Sequence, residues 1–286
     1  MDLYFRWKKG DINLWVGYAN HGKTTFVLQL MLTKSVNDGW KWAIFSPENY
    51  PANDFFDDLV EMYIGKWLDG MSEEEYSEAC HFINDHFFYV YPEHEHDLNS
   101  IQEKFRYLVL KKGVDGVLID PFNQLDRNGN SFQREDLYLS DQLKDVKRFA
   151  LLNRVSYNII AHPVKMQRDS DRSYPPVDMY DIAGGAMFAN KSDQIISYYR
   201  PNHHLDKTSP DVKILVQKVK RKRTGGQQGD FDIRLDWKIK RYVDIYSGKP
   251  FLNPKIEAKP KNSQIQSRLP YIYTNDEDGL ENEMPF

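Results

Sequence analysis

Cysteine is nearly missing: Cys80 stands alone in 286 residues. A lone thiol excludes an internal disulfide framework and fits a reducing compartment. It also argues against a structural zinc site, which needs four ligands. His81, His86, His94 and His96 follow Cys80 closely, but acids and aromatics separate them and the spacing matches no zinc pattern. Long apolar runs are missing too. No stretch approaches the roughly 18 uninterrupted apolar residues of a membrane span, and Met1-Asp2-Leu3-Tyr4-Phe5-Arg6 lacks the charged-then-apolar layout of a secretory signal. A cytoplasmic protein with no membrane partner is the expectation. Nor is there an excess of positive charge: the formal net charge is −4. Composition alone therefore does not mark a nucleic-acid binder, although a local basic run can still meet phosphate. Such a run exists at Lys218, Lys220, Arg221, Lys222 and Arg223, whereas Asp276, Glu277, Asp278, Glu281 and Glu283 make the end of the chain acidic.

What is present is ample core material, with 41% apolar and 14% aromatic residues. The runs 12–17, 42–45, 116–120, 157–161, 194–198 and 214–219 read as buried strands. Helical periodicity fills 23–33, 53–67, 73–84, 101–112 and 135–152. Strands alternating with helices predict an α/β fold, with a mostly parallel sheet covered on both faces. The last strands, near 214–219, 231–235 and 241–245, follow one another without helices, so that edge is expected to be antiparallel. From Gly248 onward prolines mix with Lys, Asn, Ser and Gln and periodicity fades. Residues 1–246 are thus expected to form one domain and 247–286 a flexible, acidic-ended tail.

The strongest local signal is Gly17-Tyr18-Ala19-Asn20-His21-Gly22-Lys23-Thr24. It matches the phosphate-binding pattern G-x-x-x-x-G-K-[ST], follows a predicted strand and opens a predicted helix. Glycines let backbone N–H groups wrap a polyphosphate, and the helix adds the positive end of its dipole. Gly17, Asn20, His21, Gly22, Lys23, Thr24 and Thr25 are therefore assigned to the nucleotide. Lys23 would reach the β- and γ-phosphates, and the Thr24 hydroxyl would ligate Mg²⁺. A carboxylate on the metal side is the next requirement, and Val117-Leu118-Ile119-Asp120 places Asp120 where a buried strand ends. Glu48, just past the second strand, is the candidate base for the attacking water, on the side of the sheet where ligands collect.

The ordered set of motifs that follows is more specific. Gly10–Thr25, Phe45-Ser46-Pro47-Glu48, Leu118–Leu125, Asn158-Ile159-Ile160-Ala161-His162-Pro163 and Asp181–Gln194 appear in the order seen in superfamily 4. Together they resemble the RecA-like ATPase domain of those replicative helicases, which include the DnaB, Twinkle and phage primase-helicase types. Lys220–Gly229 resembles the family's arginine-finger hairpin. The resemblance implies that His162 senses the γ-phosphate and that Arg223 is the finger. It makes Arg221 the finger's basic companion and places Trp237 where an aromatic stacks on the base. It also implies ATP with Mg²⁺, a ring of usually six subunits with nucleotide between neighbours, and 5'-3' movement along single-stranded DNA that unwinds duplex. A bacterial or phage-infected cell is the implied setting.

For DNA, the candidates within that frame lie between His162 and Asp193: Lys165, Arg168, Arg172, Gly184, Gly185 and Lys191. If the basic run is a strand end, Lys220 and Lys222 face away from Arg221 and Arg223. Family members usually carry a primase-like or helical domain and a linker helix before this core. The first strand comes early here, which leaves three readings open: a fragment of a longer protein, assembly that needs DNA or nucleotide, or an open filament. A RecA-type recombinase and a nucleotide-gated DNA-binding or loading factor are the competing readings. The closing Glu283-Met284-Pro285-Phe286 resembles the acidic tip of bacterial single-stranded DNA-binding proteins and is a candidate dock for replication partners.

Overall fold

The computed structural model describes residues 3–92, 96–127, 134–164, 166, 173–251 and 272–273. Short apolar runs form its centre: β1 (Ile12–Val16), β2 (Trp42–Phe45), β3 (Phe87–Val90), β4 (Gly116–Ile119) and β5 (Ser156–Ala161). Every residue of these strands is buried, as strands covered on both faces require. β6 (Gln194–Tyr199) lies parallel to β1. β7 (Asp211–Val219), β8 (Gly229–Asp236) and β9 (Arg241–Asp244) then extend that edge in antiparallel fashion. A short β10 (Ile272–Tyr273), from within the expected tail, pairs in parallel with β3. Among the described residues the sheet order is β10-β3-β2-β4-β5-β1-β6-β7-β8-β9.

Helices cover both faces: α1 (Lys23–Asp38), α2 (Asn53–Ile64), α3 (Glu73–His86), α4 (Leu98–Lys112) and α5 (Glu135–Leu152), with the short α6 (Gly185–Lys191) and α7 (Lys222–Gly225). Their ends follow local chemistry. Ser72 and Glu75 form a reciprocal capping box at the start of α3. α2 stops at Ile64, before the predicted Trp67, because Gly65 takes the left-handed conformation that ends a helix (φ 79°). Among the described residues no helix is long and apolar enough to cross a membrane.

One apolar cluster lies on each face of the sheet. Ile12, Leu14 and Val16 point to one and Trp15 to the other, as a period of two requires. Asn13 shares the Trp15 face. Its amide donates to Ser156 Oγ (3.0 Å) and Asn158 Oδ1 (3.1 Å), and its Oδ1 accepts from Gln194 Nε2 (3.2 Å). This closed polar set ties β1 to β5 and β6 and fixes their register. Because the central strands are parallel, their carboxy ends share one rim and their amino ends the other.

Candidate nucleotide site

The phosphate-binding loop leaves β1 at the carboxy rim, in the middle of the sheet. Gly22, at φ 91°, caps α1. A Cβ at Gly17 would lie 2.6 Å from the carbonyl oxygen of Tyr198, so only glycine lets the loop pass β6. Neighbouring strand ends deliver the other candidates to the same rim. Thr24 Oγ1 donates to Asp120 Oδ2 at 2.8 Å. Lys23 Nζ is 3.3 Å from His162 Nδ1 at the end of β5. His162 Nε2 lies 3.7 Å from Glu48 Oε2, and the Gln124 amide donates to Glu48 Oε1 at 2.8 Å. Lys23, Thr24, Glu48, Asp120 and His162, chosen from separate stretches of sequence, thus form one constellation.

Burial dominates its electrostatics. Lys23 is 4% exposed, and desolvation pulls its ammonium below the usual range against the attraction of Asp120 and Glu48. His162 is lowered by burial and then by Lys23. Asp120 is 1% exposed and raised to about 6 by burial, although Lys23 and the Thr24 hydroxyl oppose the rise. Asp120 Oδ1 has no hydrogen-bond partner among the described residues. Burial leaves each charged form short of solvation, which an oppositely charged ligand would supply. A hydroxyl and an orphaned carboxylate oxygen beside a phosphate cradle suit Mg²⁺, which takes one or two protein ligands and completes its shell from phosphates and water. No group of three His, Cys, Asp or Glu side chains is placed to hold a metal among the described residues. His86 and His96 bond to nearby backbone instead, with His86 Nδ1 2.8 Å from Phe82 O and His96 Nε2 2.7 Å from Pro92 O; His94 lies outside the described residues.

With this arrangement in view, similarity to known proteins is informative. Over 252 residues the chain is 31% identical to the Twinkle homolog protein, chloroplastic/mitochondrial, of Arabidopsis thaliana. The match covers 84% of this chain and 34% of that protein, so the chain spans about a third of its relative's length. Among solved structures, an isolated ATPase domain superposes with a TM-score of 0.68 at 18% identity, covering 84% of this chain and 86% of that one. A DnaB-like replicative helicase, described with its interactions with primase, gives 0.66 at 20% identity over 84% and 58%. The chain has a RecA-like α/β fold. The RadB recombinase shares the core at lower similarity, with a TM-score of 0.52 at 18% identity over 84% and 92%. No family model matches the chain.

Beside the loop of this RecA-like domain is a cavity of about 220 Å³, bordered by Asn20, His21, Gly22 and Thr25. Tyr198, Trp237 and Tyr242 give it aromatic walls, and Arg200 lies at its edge. Tyr242 OH donates to Gly22 O at 3.1 Å and meets Tyr198 OH at 2.9 Å, which ties the loop to β6 and β9. Trp237 therefore lines the same cavity as the loop residues Asn20, His21, Gly22 and Thr25. Arg200, Gln124 and the tyrosine pair were missed in the sequence. Arg200 is a lone arginine after an apolar run, and only the folded chain turns its guanidinium onto Lys207 O (2.7 Å) and Ser209 O (2.6 Å), beside His21.

Arg221 and Arg223 lie elsewhere. β7 runs antiparallel to β6 and ends beside Gln194, so the turn that follows it belongs to the amino rim. β1 alone spans about 17 Å between the rims. The expected alternation of residues 220–223 does not hold. The strand stops at Val219, and Lys222–Gly225 form a helical turn, so side-chain direction there follows a helix rather than a pleat.

Of the DNA candidates, Lys165, Arg168 and Arg172 lie outside the described residues, as does the Pro285-Phe286 tip. Gly184 caps α6 at φ 74°. Gly185 is pressed to 2.7 Å (measured from an added Cβ) against the backbone of Tyr180, and its N–H already donates to Ile182 O. Lys191 ends α6, close in sequence to the amino end of β6.

Proposed function

We propose that this chain is the ATP-hydrolysing motor of a replicative DNA helicase, working as a ring of copies, six by family resemblance, that moves on single-stranded DNA and unwinds duplex. A division of parts carries the reading. Lys23, Glu48, Asp120 and His162 meet at the carboxy rim, while Arg223 stands at the amino rim of the same sheet. Charge developing on a transferred phosphoryl group needs a cation close by. One copy cannot bring its own Arg223 there, but a head-to-tail neighbour can.

In this reading the loop N–H groups from Asn20 to Thr25 cradle the phosphates of ATP and Lys23 neutralises their charge. Thr24 and Asp120 are the residues that would hold Mg²⁺, which supplies further neutralisation of the phosphate oxygens. Glu48 is the carboxylate of the set with access to solvent, its side chain 43% exposed. It orients a water and takes its proton, with Gln124 fixing the carboxylate. His162 links Lys23 to Glu48 and so reports whether a γ-phosphate is present. Trp237 stacks on the base, and Arg221 accompanies Arg223. Lys165, Arg168, Arg172, Gly184, Gly185 and Lys191 remain the proposed DNA contacts, and the Pro285-Phe286 tip a proposed dock for replication partners.

Mixing tests the shared site. Lys23→Ala protein should lose hydrolysis. Arg223→Ala should bind a fluorescent ATP analogue normally yet lose DNA-stimulated hydrolysis by roughly 10³-fold. A mixture of the two should recover activity, because Arg223 of one copy serves the intact loop of the other. Absence of recovery overturns the interfacial site. Strand displacement by the wild-type chain separates a helicase from a recombinase, which exchanges strands, and from a loading factor, which does neither.

A further inference from the structure

At the amino rim two buried carboxylates stand side by side: Asp11, immediately before β1, and Asp193, immediately before β6. Like charges at this spacing are held only with cations close by. Lys147 of α5 supplies one, bonded to Asp193 Oδ2 and to Gly10 O (2.7 Å) and 3.9 Å from Asp11 Oδ1. Ile12 N–H also donates to Asp193 Oδ2 at 2.9 Å. These partners satisfy Asp193 Oδ2, and Lys147 also approaches Asp11 Oδ1.

Asp11 Oδ1 and Asp193 Oδ1 accept no hydrogen bond among the described residues. Both face the basic turn. Arg221 is 3.8 Å from Asp11 Oδ1, and Lys220 is 3.7 Å from Asp193 Oδ1. Lys220 N–H also donates to Asp193 O at 2.8 Å. Beyond them Arg223 is exposed and makes no ion pair among the described residues. The far side of the turn is braced by backbone: Arg6 N–H donates to Gly225 O (3.0 Å) and Gln227 N–H to Leu3 O (3.1 Å). Asp11 carries the signature of an incompletely neutralised group, raised by burial first and then by Asp193.

We propose that Asp11 and Asp193 are positioning residues for the arginine finger: they anchor Lys220 and Arg221 so that Arg223 projects from the amino rim towards the nucleotide of a second copy. The proposal rests on the interfacial reading above. It assigns Arg221 first to its own chain's carboxylate, as the pivot of the turn. Neither aspartate touches the phosphate-binding loop of its own copy, since β1 and β6 lie between. Their loss should therefore act only on the neighbour's site.

Complementation reads this direction. Asp11→Asn should lower the kcat of DNA-stimulated hydrolysis by roughly ten- to a hundred-fold while leaving KM for ATP and binding of a fluorescent ATP analogue unchanged. Mixed with Lys23→Ala, it should regain activity, because the Lys23→Ala copy offers an intact finger to its working loop. Mixed with Arg223→Ala, it should stay inactive, because both copies then lack a placed finger. Recovery with Arg223→Ala instead of Lys23→Ala, or loss of analogue binding with no recovery from either, assigns Asp11 to its own site or to the fold and overturns the proposal. Lys220→Ala, with a side chain already 51% exposed, is a second variant that does not disturb buried charge and should repeat the pattern more weakly. The control pair Lys23→Ala with Arg223→Ala isolates the premise: its failure to recover rejects the interfacial site itself.

Discussion

The two rims of the sheet surround their buried carboxylates with different numbers of cations. At the amino rim, Lys147, Lys220 and Arg221 gather around Asp11 and Asp193. At the carboxy rim, Lys23 faces Asp120 and Glu48. Burial shifts Lys23 and Asp120 towards their neutral forms, as it does Asp11 at the other rim. Depth of burial does not tell the two apart. The number of partner cations does.

Substitutions can break that contrast or sharpen it. The largest effect is expected from Glu48→Gln, which leaves the cradle intact and removes the base. ATP should bind as before while single-turnover hydrolysis falls by roughly 10²–10⁴-fold. Normal turnover would hand the water to another group.

At the other rim, Lys147→Ala should cost about 3 kcal/mol or more in urea unfolding, because it removes a cationic partner from two buried carboxylates. Unchanged stability would show that Lys220 and Arg221 suffice.

The smallest effect is a matter of pH. The Asp120 carboxyl rises from 3.8 to about 6 on folding, so the folded chain holds its proton more tightly. The stability this contributes is present in full below pH 4 and lost as pH climbs through 6. Asp120→Asn carries no such dependence. Without nucleotide, its stability relative to wild type should therefore improve between pH 4 and 7, by up to roughly 3 kcal/mol. Parallel pH curves would mean that the carboxylate is already neutralised by Lys23.

Much of the carboxy rim was legible because its signals are local. Gly17 to Thr24 are contiguous, and Asp120 and His162 each end an apolar run that reads as a strand by itself. The amino rim was not legible. Asp11 and Asp193 look like ordinary polar boundaries, and nothing in either neighbourhood announces that residues so far apart meet until β6 is laid beside β1. β3 escaped for another reason. Phe87 both caps α3 and begins the strand, so no loop residues separate the two periods. The arginine turn misled by its approach: β7 alternates as far as Gln217, and after Val219 the chain coils into the turn Lys222–Gly225 instead of continuing the pleat. At Gly226, φ 113°, an added Cβ would lie 2.3 Å from Tyr4 O, so the coil and the first residues of the chain fit only with glycine there.

Ile12–Val16 is a single stiff strut. One of its ends opens into the cradle that receives a nucleotide, and the other is rooted in the aspartate beneath the arginine turn. With the proposed interfacial site, receiving and serving stand at opposite ends of one strand, so a copy that shifts when its own site fills would move the arginine it lends to the next.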